Sequence, residues 1–221
     1  MVVQRLRLPN RASGRCRFPR YRFSGSALFD GATFSGTTNF VRATFSGYTR
    51  FGGATFSGLT WFVEATFAGT TSFVGTTFEA GVWFEGATFS GDVMFDGTNF
   101  SGSAQFDRAT FSDTTWFNRA TFSDTTWFNR ATFSGATWFN GAAFSGDARF
   151  NEAVFSGLAL FRRARFEGPT DFRRTDFGAG RIDFTEPLRW APAPRFAWDA
   201  PGVEKPGNVE PHEWPPVATS T

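Results

Sequence analysis

The chain has 221 residues, 41% of them hydrophobic, which is enough apolar mass for a core of its own. Its formal net charge is only +2, but the seven arginines of residues 1–22 stand there without any acidic residue. The chain has one cysteine, which excludes an intramolecular disulfide framework. It also has only one histidine, so the two residues together are too few ligands for a His/Cys metal site.

The N-terminal segment, residues 1–15, is predicted to be a basic arm. It lacks the apolar run of a signal peptide, and no stretch of the chain approaches the ~20 apolar residues of a membrane span. These features favour a cytoplasmic protein with no membrane span. Basic arms can bind nucleic acid, but these arginines alternate with leucine and proline, so a solvated leader is favoured. Direct nucleic-acid binding is not expected outside this arm.

Phenylalanine dominates the segment from Phe18 to Phe177. Thirty of the 32 phenylalanines lie there, at alternating intervals of five and six residues. A small residue, mostly alanine, threonine or valine, stands two positions before nearly all of them. The predicted core ladder includes Phe34, Phe45, Phe56, Phe67, Phe78, Phe89, Phe100, Phe111, Phe122 and Phe133.

An eleven-residue period can also specify a right-handed coiled coil of helices. At about 100° per residue, steps of five and six place successive rings on different sides of a helix, and the many glycines and threonines disfavour a helix further. In an extended segment, the residue two positions before the ring points to the same side as the ring. A β-solenoid would then bury one large and one small side chain per side, with Ser-Gly and Asp-Gly pairs at its corners.

The successive units ALFDG, ATFSG and TTNFV resemble the pentapeptide repeats, in which a small residue and a central Leu or Phe recur every five residues. The resemblance implies a right-handed, four-sided parallel β-helix with about 22 residues per coil, and hence an all-β fold. Here the centre is uniformly phenylalanine, and every second unit carries a sixth residue such as Thr37, which we expect at a corner. The β-helix is predicted to span residues 16–184.

The C-terminal segment, residues 185–221, is rich in proline and is predicted to form a cap and tail. Proline cannot donate a ladder hydrogen bond, so this segment is not expected to continue the sheets. Trp190, Phe196 and Trp198 are expected to fold over the last coil, and the remaining tail is expected to be disordered. The single histidine, His212, lies here without a partner, so no enzymatic activity and no cofactor are predicted.

Five tryptophans stand directly before a core phenylalanine and should point outward: Trp61, Trp83, Trp116, Trp127 and Trp138. A 22-residue coil places three of them on one face and Trp116 and Trp138 on the opposite face. Rows of outward tryptophans are candidate contact surfaces for a partner. The alternative is that each ring lies flat on its neighbours and covers the corner.

Two further faces carry ranks of hydroxyl groups, such as Thr110 with Ser112 and Thr121 with Ser123. Such ranks resemble the threonine arrays of ice-binding β-helices. Threonine is also simply a good strand residue, so ice binding is only a remote alternative.

The function predicted from these features is a non-enzymatic scaffold that binds another protein of unknown identity, with a homodimer left open. The family resemblance implies a second candidate, because bacterial members include rod-shaped dimers that mimic duplex DNA and engage DNA gyrase and other type II topoisomerases. Residues 23–160 carry six arginines against eleven acidic residues, a net −5. This charge is small beside one phosphate per ~1.7 Å of duplex, so mimicry ranks second.

Overall fold

The computed structural model describes residues 11–12 and 15–219 of the chain. Its strands are two residues long and belong to four parallel sheets, which follow one another around each coil. Up to β30, consecutive strands along the chain therefore lie on consecutive sides, and every fourth strand returns to the same sheet. The strands are labelled in chain order.

Sheets 1 and 3 form two opposite sides of the solenoid. Sheet 1 contains β1 (Arg11–Ala12), β5 (Thr33–Phe34), β9 (Thr55–Phe56), β13 (Thr77–Phe78), β17 (Asn99–Phe100), β21 (Thr121–Phe122), β25 (Ala143–Phe144), β29 (Arg165–Phe166) and β32 (Arg189–Trp190). Sheet 3 contains β3 (Arg22–Phe23), β7 (Thr44–Phe45), β11 (Thr66–Phe67), β15 (Thr88–Phe89), β19 (Thr110–Phe111), β23 (Thr132–Phe133) and β27 (Val154–Phe155).

Sheets 2 and 4 form the other two sides. Sheet 2 contains β2 (Cys16–Arg17), β6 (Thr38–Asn39), β10 (Thr60–Trp61), β14 (Val82–Trp83), β18 (Ala104–Gln105), β22 (Thr126–Trp127), β26 (Ala148–Arg149) and β30 (Thr170–Asp171). Sheet 4 contains β4 (Ala27–Leu28), β8 (Thr49–Arg50), β12 (Thr71–Ser72), β16 (Val93–Met94), β20 (Thr115–Trp116), β24 (Thr137–Trp138), β28 (Ala159–Leu160), β31 (Ile182–Asp183) and β33 (Val209–Glu210).

Strand pairing has a register of 22 residues through most of the solenoid. Thr33 pairs with Thr55 in sheet 1, and Trp61 pairs with Trp83 in sheet 2. The prediction of an all-β, four-sided parallel solenoid with about 22 residues per coil is thus confirmed. Among the described residues the one helix is a short 3₁₀ turn, Ala197–Asp199, and no helix there is long and apolar enough to cross a bilayer.

The core consists of four columns of stacked phenylalanine rings. Phe34 and Phe56 stack at 4.5 Å between ring centroids, and their planes differ by only 1°. Rings on the opposite sides formed by sheets 2 and 4 meet edge to face instead, as Phe106 and Phe117 do at 5.6 Å and 86°. Both geometries suit the quadrupole of the ring. All ten phenylalanines of the predicted ladder have 1% or less of their surface exposed.

Two kinds of corner join the sides. The first is a tight turn that follows the phenylalanine of sheets 2 and 4. In one example Ala43 N–H donates to the Phe40 carbonyl at 2.9 Å, and Arg42 takes the positive φ of a type II turn. The second corner contains the extra sixth residue. There the Leu59 carbonyl accepts from Thr38 N–H of the preceding coil at 2.9 Å, so the added residue still serves the ladder.

The C-terminal segment extends the solenoid further than the sequence predicted. Strands β32 and β33 join sheets 1 and 4, and Trp190, Phe196, Trp198 and Trp214 pack over the last coil. The expectation that the proline-rich segment stops the ladder was wrong. In sheet 4 the preceding coil donates, from Phe184 N–H to the Glu210 carbonyl at 2.9 Å, so the following proline costs no ladder bond.

Candidate functional site

Sheet 4 carries a continuous row of large apolar side chains on its outer surface. Met94, Trp116, Trp138 and Leu160 are register partners on four consecutive coils, and all are partly exposed. We call these four residues the apolar stripe. They project outward because the residue before each of them, for example Thr137 before Trp138, fills the small inward position of its strand.

The coil that carries Trp138 has polar atoms without protein partners. The Thr137 hydroxyl, the Trp138 indole nitrogen and the Asn140 amide oxygen are buried and lack a hydrogen-bond partner. They are three of the four such side-chain atoms among the residues with described side chains, the other being the Trp198 indole nitrogen. Unpaired buried polar atoms cost free energy of folding. Three of them lie on the one coil that carries Trp138 of the apolar stripe, which distinguishes this coil from the rest of the solenoid.

Sheet 2 carries the other three tryptophans, but they do not form one row. Trp61 and Trp83 stack with their ring centroids 5.9 Å apart, whereas Gln105 separates Trp83 from Trp127. A Cβ built on Gly81 would stand 2.8 Å from the edge of the Trp83 ring, so that ring lies against the backbone of its own corner. Trp83 therefore has the flat packing that the sequence allowed as an alternative.

A groove crosses the corner between sheets 4 and 1, beside the apolar stripe. It has a volume of about 730 Å³. Arg119 and Thr121 form one wall, Arg163 and Arg165 form the other, and Gly141 and Ala143 form the floor. We call this cleft the arginine groove. Asn140 lines both the groove and the adjoining depression that contains Trp138, so the two features form one surface.

Sequence reasoning missed the arginine groove. Its signal is present in the sequence as positions 22 residues apart, with Arg119, Gly141 and Arg163 in one column and Thr121, Ala143 and Arg165 in the next. The groove is set by the small size of two side chains, which the periodic pattern of large side chains does not indicate.

The diagonally opposite corner, between sheets 2 and 3, carries arginines whose charge is compensated. Arg42 bonds Glu64 at 2.6 Å, and Arg130 bonds Glu152 at 2.8 Å, each one coil along the rod. The hydrogen bond from Arg130, followed by its positive charge, lowers the pKa of Glu152. Arg42 lowers the pKa of Glu64 in the same way.

The hydroxyl faces differ from each other. On sheet 3, Thr44, Thr66, Thr88, Thr110 and Thr132 are register partners without interruption. On sheet 1, Asn99 and Ala143 break the corresponding row. Sheet 3 thus presents the longer array of neutral hydroxyl groups.

In the part of the chain that the structure describes, the side chains of metal-binding type do not cluster. No group of three or more His, Cys, Asp and Glu side chains there could hold a metal ion. Cys16 lies in the first coil, where burial raises the pKa of its thiol, and His212 lies exposed at the opposite end. The two side chains are therefore not neighbours.

Comparisons with known proteins place the chain by its repeats. A solved structure of trypsin-treated QnrB1, described as a plasmid-mediated fluoroquinolone resistance protein, is 12% identical, with 77% of this chain and 87% of that one covered. The TM-score between the two structures is 0.25, so the likeness is remote. No curated protein matches. The family model for pentapeptide repeats (9 copies) matches residues 18–64, 51–98, 95–143, 117–159 and 150–187. The matched segments run through most of the solenoid, and the chain belongs to the pentapeptide-repeat family.

Proposed function

We propose that this protein is a non-enzymatic, cytoplasmic scaffold that binds another protein through its tryptophan faces, chiefly through the apolar stripe on sheet 4. The continuity of the stripe carries the proposal. Four large apolar side chains follow one another in register and remain partly exposed. Aromatic residues clustered on one face are typical of surfaces that dominate binding energy in protein complexes. The separation of the only cysteine from the only histidine supports a role without nucleophilic catalysis.

Paired substitutions test this proposal. The Trp116→Ala/Trp138→Ala variant shortens the apolar stripe, and the Trp61→Ala/Trp83→Ala variant makes the same chemical change on the opposite face. Partners captured on the immobilised wild-type protein are identified by mass spectrometry, purified and titrated against all three proteins. We expect the sheet 4 variant to weaken binding by about thirtyfold or more, because truncated hot-spot residues cost about 2 kcal/mol or more in typical interfaces. Unchanged binding in both variants would remove the proposal.

Mimicry of duplex DNA is the weaker candidate. The acidic residues of the rod favour it, but Glu64, Glu152 and Asp30 are held in ion pairs with arginine, which compensates part of the acidic charge. A gyrase supercoiling assay separates the two candidates. Mimicry requires inhibition at or below equimolar protein that weakens as salt is added, because it depends on exposed charge.

A further inference from the structure

We propose that the arginine groove binds an extended, acidic polypeptide segment of the partner. This inference rests on the proposed function and deepens it, because it names the chemistry of the partner that the apolar stripe contacts. The groove lies around the corner from the stripe and shares Asn140 with the depression beside Trp138. A partner seated on the stripe would therefore reach the groove without leaving the surface.

The groove forms because one coil carries only small residues where the coils on either side carry larger ones. The same two outward positions recur on three consecutive coils. They hold Arg119 and Thr121 on the first coil, Gly141 and Ala143 on the second, and Arg163 and Arg165 on the third. The two walls lie in strands β21 and β29 and in the turns just before them, and these strands are two coils apart, roughly 10 Å at the usual spacing of parallel strands. A cleft of that width accepts one extended chain, whereas a nucleic-acid duplex is too wide to enter it.

The charge of the groove lacks compensation within the described residues. Arg162, at its edge, pairs with Glu186 at 3.0 Å. For Arg119, Arg163 and Arg165, by contrast, no ion pair within 4.0 Å is formed with any described carboxylate. None of the residues that line the groove is acidic. The positively charged guanidinium groups of the groove repel one another, and a guanidinium group binds a carboxylate through paired hydrogen bonds. Acidic side chains are therefore the complementary ligand.

The unpartnered polar atoms favour a polypeptide over a phosphate polymer. The Asn140 amide oxygen requires a donor, and the Trp138 indole nitrogen requires an acceptor. A polypeptide backbone supplies both an N–H and a carbonyl, whereas a phosphate backbone supplies acceptors only. Both side chains are themselves partly exposed. A change of rotamer would turn these polar atoms toward the partner, and such changes are common when a partner binds.

The groove offers a test in which the fold is not at risk. Arg119 and Arg163 both have φ of 56°, a conformation that glycine adopts without cost, so Arg119→Gly/Arg163→Gly removes two charges from the groove and keeps the turns. Arg108 and Arg130 occupy the same turn position on the diagonally opposite corner, with φ of 57° and 58°. The Arg108→Gly/Arg130→Gly variant is therefore matched in charge and conformation.

The probe is a fluorescein-labelled deca-glutamate peptide, titrated by anisotropy at about 50 mM salt against the full chain. Labelled deca-glutamine and labelled oligothymidylate of the same length serve as comparison probes. We expect the deca-glutamate to bind more tightly than either, and the groove variant to weaken its binding by about tenfold relative to the matched variant. Ala143→Leu, which fills the floor without changing charge, should also weaken binding. The basic N-terminal arm is present in every variant, so a loss confined to the groove variants cannot come from the arm.

Equal weakening in the groove variant and the matched variant would overturn the inference, because the binding would then reflect net charge alone. Tighter binding of oligothymidylate would overturn it in favour of nucleic acid, and self-association lost only in the groove variant would do so in favour of a second copy of this chain. If the purified partner binds the groove variant unchanged, the inference fails while the scaffold function stands. If that partner is insensitive to both tryptophan variants, the scaffold function fails whatever the peptide result.

Discussion

The third residue of each tight turn is held in the left-handed region of backbone space. Gly97 and Gly141 occupy this position with φ of 60° and 66°, and Arg42, Glu64 and Arg119 occupy it with φ of 56°, 54° and 56°. A side chain there costs roughly 1–2 kcal/mol that glycine avoids. The solenoid therefore places charged side chains along two corners at the expense of backbone stability. At the corner between sheets 2 and 3 ion pairs offset part of this cost, whereas Arg119 and Arg163 form no ion pair with a described carboxylate, which supports a use of their charge in binding.

Arg119→Gly should raise the free energy of unfolding by about 1 kcal/mol, because it relieves the left-handed strain at one turn. Gly141→Ala, one coil away on the same corner, should lower the free energy of unfolding by a similar amount. Urea titrations followed by circular dichroism measure both changes. A loss of stability in Arg119→Gly would contradict the argument, since it would mean that contacts of the arginine side chain outweigh the strain.

The ion pairs on the opposite corner predict a dependence of stability on pH. Arg130 lowers the pKa of Glu152 below its ordinary value of 4.5, so the pair stabilises the folded chain above that pH. As the pH falls through the lowered pKa, the carboxylate becomes protonated and this contribution is lost. Wild type should therefore melt above Glu152→Gln at pH 7, and the two melting temperatures should converge as the pH falls below the lowered pKa of Glu152. A difference that persists in acid would mean that the glutamine variant changes something other than this charge.

At the scale of strands and coils, stability depends on how many coils flank a ring. Phe100 is fully buried and stacks on Phe78 at 5.4 Å and on Phe122 at 4.8 Å. Phe18, in the first described coil, is partly exposed and stacks in its own column on Phe40 alone. The middle of the solenoid should therefore respond to truncation more strongly than its N-terminal end.

Phe100→Ala should destabilise the fold by about 3–5 kcal/mol, because it opens a ring-sized cavity between two stacked neighbours. Phe18→Ala should cost clearly less, because the terminal coil can adjust and water already reaches the ring. Thermal and urea unfolding of both variants against wild type give the comparison. Equal costs would show that the columns do not cooperate along the rod.

The order of strands around the coil could be predicted because side chains 22 residues apart repeat. Phe34 over Phe56, and Trp61 beside Trp83, follow directly from that period. The tilt of a surface ring could not be predicted. The position of the Trp83 ring depends on the bare backbone of Gly81, a contact within one corner that periodicity does not encode.

For the whole molecule, prediction worked where the period holds and failed where it ends. The register lengthens after the last regular coil, with Ala159 paired to Ile182 and Ile182 paired to Val209. A spacing that changes from coil to coil leaves no pattern to extrapolate. The arginine groove escaped prediction for a related reason, since it is defined by the small size of Gly141 and Ala143 between two arginine-bearing coils.

The end of the rod supports a last prediction. Trp214 packs edge to face on Phe184 at 6.1 Å, and Phe196 stacks on Phe172 at 5.1 Å, so the C-terminal segment covers the last rings and strand edges. A chain that ends at Thr185 would lack Phe196 and Trp214. It would expose the rings of Phe172 and Phe184 together with the open edges of β30 and β31. Exposed strand edges pair with other chains, so the shortened protein should self-associate with rising concentration, as seen by size-exclusion chromatography with light scattering. Trp214→Ala, which loosens the cover but keeps the strands, should melt earlier than wild type without this association. If the shortened chain keeps the mass and melting temperature of the full chain, then the segment does not act as a cap.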